Sequence, residues 1–441
     1  MTTRVLTGIT TSGTPHLGNY VGAVRPAIAA SRAAGSESFY FLADLHSLIK
    51  AQDPAMTQRS TLEIAATWLA CGLDPDTVWF YRQSDIPEIT ELTWLLTCVA
   101  GKGILNRAHA YKAAVDKNRA EGEDDDAGIT AGLFMYPVLM AADILVFNAD
   151  QVPVGRDQIQ HIEMARDFGQ RFNHVYGKDY FVLPEALVDD NVATLPGLDG
   201  RKMSKSYGNT IPLFAPRNEL KKLIAGIVTD SRTPGEPKDT EGSALFQLYQ
   251  AFADAEETAA FAADFAAGIG WGDAKQKLFE RIDAEVAPLR DTYEALIAKP
   301  GEIEAILRDG ARRLREKYAT LFLAELRQAV GLRNLSSQAA TTKKTAARAA
   351  TPQFKQYRES DGRFYFKLLG VDGRLLLQSV GHQSPREAGQ QIARLRQQGA
   401  QALRHAGEGA LQLGEELVGH LHAGIELADV AQALLELAED A

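Results

Sequence analysis

Residues 5–19 read VLTGITTSGTPHLGN, and this stretch decides the fold class. Val5 to Ile9 is a short apolar run that predicts a buried strand, and an apolar pattern from Tyr20 to Ser31 predicts a helix. A strand, a loop of small residues and a helix present backbone N–H groups to an anion. The stretch therefore indicates an α/β fold with a phosphate-type loop at residues 10–19. A capped helix start with a surface histidine is the alternative that these residues alone leave open.

The alternation of strand and helix continues along the chain and predicts a doubly wound parallel sheet. The second strand ends at Ala43, so His46 falls at the carboxyl end of a strand, where α/β sheets bind ligands. An ordinary loop histidine is the alternative. The predicted elements are a strand at Phe39–Ala43, a helix at Thr57–Cys71, a strand at Val78–Tyr81, a helix at Glu88–Val99 and a charged surface loop at Asp116–Asp126.

Composition limits the class of protein. A chain of 441 residues with 45% apolar content should fold into two or three domains. The net charge of −10 argues against a protein that coats nucleic acid non-specifically. Two cysteines, Cys71 and Cys98, lack ligand-type spacing, which fits a cytoplasmic location. No signal peptide is predicted, and the longest apolar run, Met135–Phe147, is interrupted by Asp143 and too short to span a bilayer.

A second loop, residues 200–209, reads GRKMSKSYGN. Lys202 and Lys205 carry long flexible ammonium groups that can reach several phosphate oxygens, and Ser204 and Ser206 add short donors. Taken alone, the loop is better explained as a solvated surface turn. Together with the loop at residues 10–19 it predicts a site for a polyphosphate.

One helical stripe carries a single carboxylate among apolar and aromatic side chains. From Tyr136, the positions four, seven and eleven residues later are Met140, Asp143 and Phe147. Pro137 suits the first turn of such a helix. The stripe predicts a flat slot with one acceptor at its end, suited to an aromatic ring that carries an N–H or O–H group. The alternative is a buried aspartate satisfied by the backbone or by a cation.

Residues 151–158 predict a short strand followed by a helix start. Gly155 and Arg156 precede Asp157, which can bind a ribose hydroxyl, and Gln158, which can reach an ammonium group. A simpler interpretation is that Asp157 only complements the helix dipole.

We predict the following domain organisation. A catalytic domain comprises residues 1–211, a mainly helical domain 212–334, a linker 335–351, a small α+β domain 352–405 with a turn at Asp372-Gly373, and an acidic helical tail 406–441. The small domain has nine Lys/Arg against four Asp/Glu, whereas the tail has eight acidic residues and no Lys or Arg. The basic excess indicates a possible phosphate-contacting module, and a passive appendage is the alternative.

The motifs in combination resemble a known family. Residues 14–19 (TPHLGN) and 202–206 (KMSKS) resemble the two signature motifs of class I aminoacyl-tRNA synthetases. Within that class, residues 136–145 (YPVLMAADIL) and 152–161 (VPVGRDQIQH) are similar to the tryptophanyl-tRNA synthetase family. The resemblance covers residues 1 to about 334. It implies a Rossmann-type nucleotide-binding domain, a helical anticodon-recognition domain and a homodimer in the bacterial cytoplasm.

The resemblance also implies a reaction and a set of site residues. The substrates are L-tryptophan, ATP with Mg²⁺, and tRNA(Trp). The catalytic positions that it implies are His16, Asn19, Lys202, Ser204 and Lys205. The implied ATP contacts are Thr10, Thr11, Ser12, Gly18, Asn19, Gly155, Arg156, Asp157, Leu195, Lys202, Met203, Ser204, Lys205 and Ser206. The implied tryptophan contacts are Asp143, Tyr136, Met140, Gln158 and His46. No resident metal site is expected.

Some positions depart from the family pattern. Thr10 stands where many bacterial members have glutamine, and a mobile loop lysine corresponds to either Lys112 or Lys117. Residues 364–379 resemble a small bacterial β-domain family of the YegP type. The tyrosine-specific sister enzyme and a non-catalytic protein that binds nucleotide or RNA are the alternative functions.

Overall fold

The structure is a computed structural model. It describes residues 2–11, 13–50, 52–188, 194–332, 351–399, 403–405, 410–413 and 416–439. The chain divides into two compact units, residues 1–333 and residues 334–441.

A five-stranded parallel sheet forms the centre of the first unit. Its strands are β1 (Thr3–Thr10), β2 (Ser36–Ala43), β3 (Trp79–Arg82), β4 (Gln151–Pro153) and β5 (Glu185–Leu187). They are arranged in the order β3-β2-β1-β4-β5, and every pair is parallel. The order reverses between β1 and β4, which is the position where doubly wound sheets bind ligands. The predicted sheet is confirmed.

Helices cover both faces of this sheet and continue beyond it. Those up to residue 176 are α1 (Leu17–Asn19), α2 (Arg25–Ser31), α3 (Asp44–Ser47), α4 (Pro54–Ala70), α5 (Pro87–Thr97), α6 (Lys102–Leu105), α7 (His109–Glu121), α8 (Ala131–Leu145) and α9 (Ile159–Tyr176). The later ones are α10 (Arg217–Ala225), α11 (Ala244–Phe252), α12 (Ala255–Ala266), α13 (Trp271–Ile297), α14 (Pro300–Leu314) and α15 (Thr320–Ala329). In the part of the chain that the structure describes, no helix is long and apolar enough to cross a membrane.

Two local expectations need correction. Pro137 lies inside α8, because the Thr130 side chain accepts a hydrogen bond from the Leu133 N–H and starts the helix six residues earlier. The charged run predicted as a surface loop is helical up to Glu121, the last residue of α7. Gly122 ends the helix in a left-handed conformation with φ of 78°.

The later helices of the first unit and one face of the sheet share a single hydrophobic core. Leu42 of β2 and Phe80 of β3 share a cluster of buried residues with Leu278 and Leu307. Helix α14 approaches β3 so closely that a Cβ atom at Gly310 would lie 1.9 Å from the Phe80 carbonyl oxygen. Any larger residue at position 310 would therefore force the helix away from the strand.

The second unit contains a six-stranded antiparallel sheet and two helices. The chain forms β6 (Gln353–Arg358), β7 (Phe364–Leu369), β8 (Leu375–Ser379) and α16 (Pro385–Gln398), and then β9 (Leu403–His405), β10 (Ala410–Leu413), β11 (Glu416–Leu421) and α17 (Leu427–Glu439). The sheet order is β6-β7-β8-β11-β10-β9. Three strands and a helix thus occur twice, and the two halves join where β8 pairs with β11.

The prediction of a helical acidic tail is wrong for residues 410–413 and 416–421. These residues form β10 and β11, and β11 pairs with β8 of the preceding half. Their apolar runs are only a few residues long, a length at which periodicity does not distinguish strand from helix. Among the described residues of the tail, α17 is the only helix. The expected turn at Asp372-Gly373 is present between β7 and β8, with Gly373 at φ of 78°. The predicted linker lies outside the described residues except for Thr351.

Candidate active site

The candidate site residues gather at the carboxyl edge of the parallel sheet. Thr10 at the end of β1 lies beside Ala43 at the end of β2, and Leu42 lies beside Arg82 at the end of β3. The segments that follow these strands therefore begin side by side. The segment after β4 starts on the other side of β1.

The first loop is held by a reciprocal pair of hydrogen bonds between His16 and Asn19. The His16 N–H donates to Asn19 Oδ1 at 3.1 Å, and the Asn19 N–H donates to His16 Nδ1 at 3.3 Å. This arrangement starts α1 and fixes both side chains.

His16 is neutral at physiological pH. Burial, and then the nearby Lys205 ammonium, lower the pKa of His16 to about 4. Because its Nδ1 accepts a hydrogen bond, the proton of the neutral ring lies on Nε2. The loop therefore offers an uncharged N–H donor from His16 and an amide from Asn19.

The second loop folds into a narrow turn, and the Asn209 side chain anchors it. The Met203 N–H donates to the Leu195 carbonyl oxygen at 2.8 Å, and the Met203 side chain is buried. Asn209 is also buried, and its Oδ1 accepts from the Ser204 N–H at 2.8 Å. Its amide nitrogen donates to Asp199 and to the Lys202 carbonyl oxygen. These bonds fix the backbone from which the lysine side chains extend.

The two loops lie against each other, and two glycines allow the contact. Gly13 has φ of 65°, and a Cβ atom there would lie 3.2 Å from Lys205 Nζ. A Cβ atom at Gly18 would lie 3.1 Å from His16 Nδ1 and 3.7 Å from Met203 Cβ. We call residues 10–19 and 202–209 together the phosphate-loop pair. Their contact brings the predicted lysine, histidine and asparagine into one region.

Helix α4 supports the phosphate-loop pair from below. Thr14 Oγ1 donates to Glu63 Oε2 at 2.8 Å, and the Gly13 N–H donates to Ser60 Oγ at 3.0 Å. Loss of water around its ammonium group lowers the pKa of Lys205, and the Glu63 carboxylate partly offsets that effect. The helix thus supplies a negative charge that retains the lysine as a cation.

Asp143 closes the predicted slot, but it is not a lone acceptor. The residue is 0% exposed. Its Oδ2 lies 2.9 Å from His46 Nε2, and Gln83 Nε2 donates to Oδ1 and Oδ2 at 2.7 and 3.0 Å. Burial raises the pKa of Asp143, whereas the hydrogen bonds from His46 and Gln83 oppose that shift. Asp143, His46 and Gln83 therefore form a network of three side chains.

A second chain of hydrogen bonds runs from Tyr136 to Asp157. The Tyr136 hydroxyl lies 2.6 Å from His161 Nε2, and His161 Nδ1 lies 2.9 Å from Gln158 Oε1. Gln158 Nε2 then donates to Asp157 Oδ2 at 2.8 Å. Burial lowers the pKa of His161, so the neutral ring accepts from Tyr136 and donates to Gln158.

The network around Asp143 and the hydrogen-bond chain from Tyr136 to Asp157 are in contact, and we call them together the slot network. The rings of His46 and Tyr136 meet edge to face with centroids 6.4 Å apart. The members of the slot network are His46, Gln83, Tyr136, Asp143, Asp157, Gln158 and His161.

Comparison with known proteins places the chain in a family. Residues 1–287 match the family described as tRNA synthetases class I (W and Y). The chain belongs to this family. It is 79% identical to the tryptophan–tRNA ligase of Xanthomonas axonopodis pv. citri over 398 residues, which make up 90% of this chain and 92% of the relative. It is 62% identical to the tryptophan–tRNA ligase of Pseudomonas putida over 402 residues, or 90% of this chain and 89% of the relative.

Solved structures of the same family agree with the fold. The tryptophanyl-tRNA synthetase of Campylobacter jejuni complexed with ADP and tryptophan has a TM-score of 0.68 and 40% identity, covering 74% of this chain and 99% of that one. The tryptophanyl-tRNA synthetase of Mycoplasma pneumoniae has a TM-score of 0.61 and 27% identity, covering 76% of this chain and 99% of that one. The Rossmann-type catalytic fold of a class I synthetase is therefore confirmed.

The structure describes all but one of the remaining predicted residues of this synthetase. Met140 lies one turn after Tyr136 on α8, as the stripe predicted, and is half-buried. Thr11 is buried, and its hydroxyl has no hydrogen-bond partner among the described residues. A Cβ atom at Gly155 would lie 2.7 Å from Asp157 Oδ1, so the carboxylate lies directly over the glycine. Ser12 lies outside the described residues.

Sequence reasoning missed four residues that organise the site. Gln83 and Glu63 have no motif around them, and only the fold brings them to Asp143 and Thr14. Asn209 closes the quoted lysine loop but was not assigned a role. His161 belongs to the motif of residues 152–161 but was given no role. Its position three residues after Gln158 at a helix start could have predicted the contact between them.

Proposed function

We propose that this synthetase activates L-tryptophan with ATP and transfers it to tRNA(Trp). In the first step a carboxylate oxygen of tryptophan bonds to the α-phosphorus, and the bond from that phosphorus to the bridging oxygen of pyrophosphate breaks. In the second step a ribose hydroxyl at the end of the tRNA attacks the tryptophanyl carbonyl and AMP leaves.

One observation carries this proposal. Lys205 Nζ of the second loop lies so close to Gly13 of the first loop that a Cβ atom there would be only 3.2 Å away. Because the two loops meet in this way, we expect both to bind the same polyphosphate. The slot network begins at the neighbouring strand ends, where the carboxylate of a bound amino acid meets the α-phosphate. The names of the relatives at 79% and 62% identity support tryptophan over tyrosine as the amino acid.

The phosphate-loop pair stabilises charge and holds ATP in position. Lys202 and Lys205 bind the phosphates as cations, while His16 Nε2 and the Asn19 amide donate neutral hydrogen bonds that suit the charge developing on the leaving pyrophosphate. Met203, Ser204 and Ser206 contribute to the same loop. We assign adenosine contacts to Thr10, Thr11, Ser12, Gly18, Gly155, Arg156, Asp157 and Leu195.

Mg²⁺ is expected to enter with ATP rather than to occupy a protein site of its own. Groups of three or more His, Cys, Asp or Glu side chains that could hold a metal are absent from the described part of the chain. Mg²⁺ commonly binds through substrate phosphates and retains several waters. The phosphate-loop pair offers cationic lysines and neutral donors but no cluster of carboxylates. It therefore suits a nucleotide that brings its own divalent cation.

The slot network accounts for amino-acid selection. A carboxylate offers about four lone-pair positions, and Asp143 accepts three contacts from His46 and Gln83. One position at Oδ1 remains for the indole N–H. Phenylalanine lacks that donor and would leave the buried acceptor underused, so it should be rejected. Tyr136 and Gln158 bind the polar end of tryptophan, and Met140 and His46 shape the slot.

Several further features of the family complete the proposal. The helical domain at residues 212–334 recognises the anticodon, and the enzyme acts as a homodimer in the cytoplasm. The candidates for the lysine that some family members carry on a mobile loop are Lys112 and Lys117, which are both exposed but lie on the helix α7 rather than on a loop.

Amino-acid-dependent exchange of pyrophosphate into ATP tests the activity directly. We expect exchange with tryptophan, at least a hundredfold less with tyrosine and none above background with phenylalanine. The remaining amino acids serve as controls. Preferred exchange with tyrosine would replace this proposal by the sister activity, and no exchange with any amino acid would leave a binding protein.

A further inference from the structure

The sheet of the second unit has one face that its own helices do not cover. Phe366, Leu368 and Leu377 belong to a buried cluster with Ala388 of α16 and Val430 of α17. Successive strand residues point to opposite faces, so the residues between them point away from these helices. We call that other side the outer face. On β6, β7, β8 and β11 its polar and aromatic members include Lys355, Tyr357, Tyr365, Lys367, Gln378 and His420.

Two lysines lie directly opposite each other on the outer face. Lys355 pairs with Lys367 across β6 and β7, Lys367 pairs with Gln378 of β8, and Gln378 pairs with His420 of β11. Like charges at opposed positions destabilise a sheet. The strands β6, β7 and β8 themselves contain no carboxylate, and the carboxylates of Glu359 and Asp361 lie in the turn that joins β6 to β7. An anion between the lysines would remove that cost.

Two tyrosines lie beside the lysine pair. Tyr357 and Tyr365 are cross-strand partners whose rings stack with centroids 5.8 Å apart and an interplanar angle of 24°. Lys367 Nζ lies 5.3 Å from the centre of the Tyr357 ring.

Neighbouring side chains orient both tyrosine rings. The Tyr357 side chain lies close to Gln378, two strands away, so its ring extends across the sheet over β7. The Tyr365 hydroxyl donates to Asp361 Oδ2 at 2.6 Å. Rings held in this way are preorganised for stacking, because little side-chain entropy remains to be lost on binding.

We propose that the outer face binds single-stranded RNA. Unpaired bases stack on Tyr357 and Tyr365, and the phosphates that join them lie along Lys355 and Lys367. Sheets that bind single-stranded RNA combine aromatic side chains for the bases with cations for the backbone. An acidic protein would satisfy the lysines but would have no particular use for two stacked rings, whereas a single strand uses both.

Binding of a fluorescein-labelled oligouridylate of twelve nucleotides to the full-length chain tests this inference. Tyr357→Leu should weaken binding at least about tenfold, because base–aromatic stacking contributes on the order of one to three kcal/mol per base. Tyr357→Phe should bind like the unchanged protein, since it retains the ring. Equal affinity of the unchanged protein and Tyr357→Leu would overturn the proposal.

Salt dependence gives a second, independent measurement. Lys355→Gln combined with Lys367→Gln should reduce the slope of log Kd against log salt by about 1.4, because each phosphate contact on a single strand contributes about 0.7. The matched control is Arg386→Gln combined with Arg394→Gln, two exposed positions on α16. An unchanged slope in the lysine variant, or an equal reduction in the control, would assign binding to another surface.

These measurements are separate from the test of the proposed activity. Pyrophosphate exchange needs no RNA, and all five substituted residues lie in the second unit. Tryptophan-dependent exchange should therefore be unchanged in every variant. A protein without exchange activity can still bind the oligonucleotide, and an active synthetase can fail to bind it.

Discussion

The phosphate-loop pair comes from two short runs of sequence, whereas the slot network is assembled from four separate elements. His16, Asn19 and Gly18 lie within four residues of one another, and the lysine loop is equally local. In contrast, Asp143 on α8 receives its partners from α3 and from the turn after β3. The difference shows that short motifs predict the charged groups of the site. The partners of Asp143 depend instead on packing between elements that are distant in sequence.

The largest expected effect lies in the local half of this comparison. Lys205→Ala should slow pyrophosphate exchange about a hundredfold, because loss of one preorganised electrostatic contact costs on the order of 3 kcal/mol in the transition state. Thermal stability should change little, since Lys205 is not one of the buried core residues. Lys222→Ala, an exposed lysine at the end of α10, is the control. Equal rates in both variants would contradict the assignment.

The second effect concerns pH and His16. Its pKa is about 4 in the folded protein and about 6.5 unfolded, so between these values only the unfolded chain gains the proton. The stabilisation is fully present above pH 6.5 and is lost as the pH falls towards 4, on the order of 2–3 kcal/mol. Urea titrations at pH 6.8 and 4.5 should show a smaller loss in His16→Gln. His174→Gln, at an exposed position, should lose as much as the unchanged protein.

The third effect tests the distributed half. Gln83→Leu leaves the buried Asp143 carboxylate and the Leu45 N–H without this partner. An unsatisfied buried group costs about 1–3 kcal/mol. We expect lower stability and a higher KM for tryptophan, with the KM for ATP unchanged. Gln170→Leu, an exposed position on α9, is the control. A rise in both KM values would show that the two halves are not separable.

The smallest effect sharpens the comparison within the slot network. His161→Phe keeps a ring of similar size but removes the bonds to Tyr136 and Gln158. Each hydrogen bond contributes about 0.5–1.5 kcal/mol net, so kcat/KM for tryptophan should fall about tenfold. Combining it with Tyr136→Phe should add little further loss, because both changes break the same bond. Additive losses would mean that the bond carries no function.

This contrast also explains how much the sequence could predict. The parallel sheet, the phosphate-loop pair and the stripe of α8 follow from local periodicity and from residue types with special backbone or charge properties. The partners Gln83 and Glu63 could not be predicted, because their roles depend on which strand and helix lie alongside. Residues 410–413 and 416–421 were misassigned for the same reason, since β11 becomes a strand by pairing with β8.

The contact between Gly310 and Phe80 has a consequence for communication within the first unit. Backbone touches backbone at that point, with no side chain between them to absorb a displacement. Phe80 lies three residues before Gln83, which donates a hydrogen bond to the Asp143 carboxylate. A displacement of α14 would therefore press directly on β3, the strand that leads to Gln83.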